Sequence, residues 1–170
     1  EAFSKFKYNY GNHTYSYILK YNSREHTFIK ICSVINILSM NSFLSTSYVF
    51  AFISFMGNWL LYKVFISYYP KNKKQFAYAV LFIPSVAFWG SGILKDTITF
   101  AALCFLVYAI HKAFLVGEKK IRNILIIFIA GYFIMILKAY ILLSFLPAGV
   151  IWVFNEKKSN IKSAGLRAIL

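Results

Sequence analysis

The chain has 170 residues, of which 59% are apolar, a fifth are aromatic and only 14% are charged. Soluble domains carry about a quarter charged residues and one of this size leaves much of its surface wet, so a soluble globular domain is excluded in favour of a lipid-facing protein. The excess of 19 Lys/Arg over five acids gives a net charge of +14, but the bases fall in short clusters between long apolar runs. That is the pattern of membrane orientation signals rather than of a nucleic-acid footprint, and no nucleic-acid partner is expected.

Residues 1–26 are polar, Tyr-rich and basic, with no helical apolar periodicity beyond a turn. They read as a loop on the outer side of a membrane, with tyrosines at headgroup level. Asn12-His13-Thr14 is formally a glycosylation sequon. Over residues 27–42 the pattern changes: Phe28, Ile31, Cys32, Ile35 and Leu38 recur at helical spacing, opposite Lys30, Ser33, Asn36 and Ser39. This run is too short and too polar to cross about 30 Å of hydrocarbon, and an amphipathic helix lying in the interface is expected.

Residues 43–154 then read as a transmembrane helical bundle, with apolar stretches at 43–69, 76–94, 97–116 and 123–154. As one helix the last stretch would run about 48 Å, well beyond a bilayer's hydrocarbon thickness. Its one interruption is Lys138, which predicts a hairpin of two short spans, 123–137 and 139–154. Charge supports that division. Loops 70–75, 117–123 and 155–163 carry three Lys/Arg each, whereas the intervening turns carry one each, Lys95 and Lys138. A hairpin separates every basic loop from the next by an even number of crossings, so all three lie on the cytoplasmic side under the positive-inside rule. Residues 1–42 and the turns at 90–96 and 138–140 then face outward, although the five bases within 1–42 run against that orientation. Residues 155–170 form a basic cytoplasmic loop, and Gly165–Leu170 reads like the start of a further span. With no Met at position 1, the chain is expected to be an internal segment of a longer protein.

The expected fold is thus all-α: a polytopic transmembrane bundle with an interfacial helix. Two scattered cysteines and three histidines on no shared face give no disulfide framework and no metal site. No cofactor motif is present. Chemistry concentrates at two places. In Trp89-Gly90-Ser91-Gly92, followed by Lys95-Asp96, two glycines loosen the backbone beside an interfacial Trp and a charged pair. Trp89, Ser91 and Lys95 are candidate binding residues, with Lys95 able to hold a phosphate, and Asp96 is the candidate base. The plain structural alternative makes Asp96 the N-cap of a helix starting at Thr97. Lys138 is the second place, a base inside an apolar stretch that reads either as a binding residue or as a snorkelling turn lysine, and Tyr140 beside it is a candidate binding residue or an interfacial aromatic. Pro84 and Pro147 are expected to kink their spans, and Gly57-Asn58 to pack helices closely.

The run from Pro84 through Phe88-Trp89-Gly90-Ser91-Gly92 to Lys95-Asp96, with Lys138-Ala139-Tyr140 and Pro147, resembles bacterial multi-spanning proteins of cell-envelope glycan assembly. These are the GT-C-type glycosyltransferases and O-antigen-type polysaccharide polymerases. The resemblance implies a bacterial inner-membrane protein that transfers or polymerises sugars from a polyprenyl-phosphate carrier at the outer membrane face, with membrane lipid around it. It also implies an acidic catalytic residue in an outer loop, which neither Glu1 nor Glu25 matches by motif. The competing class is non-enzymatic, a transporter or flippase segment or a scaffold subunit.

Overall fold

The computed structural model describes residues 23–117 and 120–160. Among these every regular element is helical, so the protein is all-α. Most of the expected outer loop, with Glu1 and the sequon at Asn12, lies outside the described residues, as do residues 118–119 and 161–170. The chain divides into two compact units, residues 1–46 and 47–170.

In the first unit, helix α1 covers Ser23–Leu38. It starts within the loop expected over 1–26 and stops short of residue 42. Phe28, Ile31, Cys32 and Ile35 form its less exposed stripe, whereas Leu38, expected on that stripe, is largely exposed. The helix ends because Met40 and Asn41 both adopt left-handed backbone, at φ 54° and 57°. A polar knot then fixes the corner. The Asn41 amide donates to the Asn36 carbonyl at 2.9 Å, and Thr46 Oγ1 donates to Asn36 Oδ1 at 3.0 Å.

Helix α2 (Phe43–Tyr68) runs from this corner into the second unit. After it come a 3-10 turn at Pro70–Asn72, α3 (Lys73–Leu81) and α4 (Pro84–Ser91). Helix α5 (Lys95–Ile110) continues as a π-helical turn at His111–Val116, which stops at Gly117, where φ is +80°. The last element, α6, spans Lys120–Asn160. Three helices among the described residues are long and apolar enough to cross a membrane: Phe43–Tyr68, Lys95–Val116 and Ile121–Lys157.

One feature departs from the continuous spans of the sequence reading. Residues 76–94 do not form one helix but fall into α3 and α4, of nine and eight residues. The reason is Pro84, which forces an extended Ile83 (φ −68°, ψ 121°) before it and starts α4 at N1 rather than kinking a longer helix. In α6, Pro147 sits within helical backbone, and Lys138 alone leaves helical dihedrals, at φ −148° and ψ 73°. Ile127 and Phe145 line one cleft together with Ile110 of α5. On a straight helix they would stand about 27 Å apart. The chain therefore reverses at Lys138, and both halves pack against α5: Ala130 and Ile134 of the first meet Ala102 and Leu106, and Ile141, Leu142 and Phe145 of the second pack against that cluster.

Small residues set the spacing inside this unit. A Cβ at Gly57 would lie 3.0 Å from Ala101 Cα, so α2 and α5 touch nearly backbone to backbone. A Cβ at Gly90 would come within 2.6 Å of Ser54 Oγ, so the Ser54 side chain of α2 fills the space that the glycine leaves on α4. Polarity is arranged inside out. Ser54, Asn58, Thr97, Thr99 and Asn123 are buried, while Phe52, Phe128, Met135, Leu143 and Ile151 are exposed. Water would penalise that arrangement, whereas lipid favours it.

Candidate functional site

The contacts place the three charged sequence candidates, Lys95, Asp96 and Lys138, at one end of the second unit and the basic stretches at the other. At the basic end Phe65 stacks on Phe76, with ring centroids 5.3 Å apart, Ser67 Oγ meets His111 Nε2 at 3.1 Å, and Lys157 lies 5.6 Å over the Phe114 ring. The opposite end holds the start of α5 and the reversal at Lys138.

Helix α5 starts two residues earlier than expected for an Asp96 cap. Leu94, extended and without a side-chain cap bond, occupies the N-cap, and Asp96 falls in the first turn. There its charge still faces the positive end of the helix dipole. Thr97 ties the α4–α5 turn together instead: its Oγ1 reaches the carbonyls of Trp89 and Gly92, each at 2.9 Å. Thr99 Oγ1 donates to the Lys95 carbonyl at 2.8 Å, which tightens the same turn.

Lys138 forms an ion pair with Asp96. The Asp96 side chain is 54% exposed and that of Lys138 25%, so the pair is open to ligand on the carboxylate side. Beside it lies a cavity of about 250 Å³, lined by Ser85, Val86, Trp89, Gly90, Asp96, Thr97 and Phe100. Asp96 thus links a mostly apolar hollow to a lysine carried on a separate helical hairpin.

The sequence candidates separate accordingly. Trp89 and Asp96 line the cavity, Lys138 contacts Asp96, and Lys95 opens the helix that carries them. Ser91 Oγ is turned back to the Phe88 carbonyl at 2.9 Å and does not line the cavity. Tyr140 lies near the Lys138 ammonium but is otherwise exposed. Ser85, Thr97 and Phe100 escaped sequence reasoning. Their only signal is helical register, since Ser85 stands one turn before Trp89, and Phe100 one turn after Asp96. Among the described residues no three His, Cys, Asp or Glu gather as a metal ion would require.

Comparison with protein family models, with curated proteins and with solved structures finds no match.

Proposed function

We propose that the protein is an integral membrane component of cell-envelope glycan assembly, which transfers or polymerises sugars from a polyprenyl-phosphate carrier at the outer face of the bacterial inner membrane. The observation that carries this reading is the meeting of Lys138 and Asp96 beside the Trp89-lined cavity. A carrier-linked sugar needs an apolar wall for its lipid, a cation for its phosphate and a base for the acceptor hydroxyl. Phe100 and Trp89 offer the wall. Lys138, with Lys95 at the same end, offers the point charge for phosphate. Asp96, once Lys138 turns to phosphate, is the base that accepts the acceptor hydroxyl's proton. The orientation follows from the basic loops, which the positive-inside rule assigns to the cytoplasm, leaving the Asp96 end outside.

A second reading rests on the same ion pair. A contact that joins the hairpin turn to the start of α5 also serves as a plain latch, as a transporter segment or scaffold subunit would use it. Mass spectrometry of lipid-linked glycans separates the two, in cells with the full-length gene deleted, restored, or restored as Asp96→Asn or Lys138→Met. Transfer chemistry predicts an unextended carrier-linked intermediate in the deletion strain that persists with folded variants. An unchanged glycolipid profile on deletion refutes glycan transfer, and full rescue by both variants reduces the pair to a latch.

A further inference from the structure

At the basic end, away from Asp96, a cavity of about 320 Å³ opens between the C-terminal half of α2 and the last turns of α6. Its walls include five aromatic rings, those of Phe65, Tyr68, Tyr69, Phe145 and Trp152, and its lining has one charged side chain, Glu156. Trp152 and Glu156 stand one helical turn apart and so share a face. The rings are held from behind by His111. Its imidazole stacks on Trp152 at 6.4 Å and 13° and meets Tyr68 edge-on at 5.4 Å. His111 is itself buried and set by Ser67.

We propose that this cavity binds an organic ammonium cation. Aromatic faces attract a cation through their quadrupoles, most strongly when it is desolvated, and converging rings with a carboxylate at the rim form the usual cage for alkylated ammonium groups. An anion would meet Glu156 and the electron-rich ring faces, although lysines crowd this end of the chain at positions 71, 73, 74 and 157. A neutral ligand would make no use of the carboxylate. The same chemistry is found in a free alkylammonium compound and in the choline or ethanolamine headgroup of a phospholipid. The position of the site at an end of an apolar-surfaced bundle admits either source.

The test is calorimetric titration of the purified full chain in maltoside detergent with choline and with its neutral isostere 3,3-dimethyl-1-butanol. Native mass spectrometry in nanodiscs of phosphatidylcholine or phosphatidylglycerol supplies the lipid arm. Saturable choline binding, at least about tenfold tighter than the isostere and weakened about tenfold or more by Glu156→Gln, supports the site and a free cation as its occupant. Retention of phosphatidylcholine over phosphatidylglycerol that is lost in Trp152→Leu, with no binding of free choline, supports the site and a lipid as its source. Glu156→Gln preserves side-chain shape, so it reads the charge even where Trp152→Leu disturbs folding. Equal binding of choline and isostere, or no preference in either arm, overturns the proposal.

Discussion

The Lys138 ammonium rests on the Asp96 carboxylate, joining the turn of the final helical hairpin to the first turn of α5. Each residue alone has an ordinary explanation, a snorkelling lysine and a helix-start acid. Together they set a cation and a carboxylate beside a mostly apolar cavity walled by Trp89 and Phe100.

Because Asp96 is more than half exposed, the pair contributes at most about 1 kcal/mol to stability once screening is considered. Lys138→Ala is therefore expected to shift thermal unfolding in detergent only slightly. On the proposed function, the double exchange Asp96→Lys with Lys138→Asp, which puts a cation at the positive end of α5, should regain only part of that small loss and should not restore glycan extension. Recovery of glycan extension by the exchanged pair would mean that the charges act only on each other.

The α2–α5 contact is expected to be far less tolerant. At Gly57 a Cβ already meets Ala101 Cα at 3.0 Å, so Gly57→Leu must push the helices apart and should cost about 1–3 kcal/mol. Gly131 is the internal control, because nothing lies within 4 Å of the position its Cβ would take. Gly131→Ala should leave stability unchanged or raise it by about 0.5–1 kcal/mol through helix propensity. Thermal unfolding of the two variants beside the parent decides the matter, and equal losses would contradict this packing.

In the first unit, Met40 holds left-handed backbone at φ 54°, a conformation that costs an ordinary residue about 1–2 kcal/mol. Met40→Gly should relieve that strain and slow hydrogen exchange at the Asn41 amide, which donates to the Asn36 carbonyl. Thr46→Val should do the reverse by removing the bond to Asn36 Oδ1. Exchange that changes in the same direction in both variants would argue against the corner.

Helix content and the three long apolar helices were legible in composition and run length, because lipid demands uninterrupted apolar helix. The α3–α4 break was not read correctly although its cause is local: Pro84 starts a helix at N1 in a sequence apolar on both sides. Hydropathy averages over such a break. Asp96 and Lys138 each stand out as rare charges in apolar surroundings, but their pairing depends on how a hairpin docks on α5, which no local pattern encodes. The same holds for His111, which meets Ser67, Tyr68 and Trp152 from two other helices. Ser91 shows the converse: a hydroxyl beside two glycines looks available in sequence, yet the helix carbonyl at Phe88 takes it.

The reversal at Lys138 is what brings Asp96 a partner and gathers the basic loops at one end, so its sidedness tests the account most directly. Single-cysteine variants of the full-length protein, with Cys32→Ser and Cys104→Ser as background, would carry Ser91→Cys, Ala139→Cys, Lys74→Cys or Lys157→Cys. Intact cells are then treated with a membrane-impermeant maleimide. Labelling is expected at 91 and 139 from outside, and at 74 and 157 only after the membrane is opened. Labelling of 74 and 157 from opposite sides would mean that the last stretch crosses once, and would contradict the reversal at Lys138.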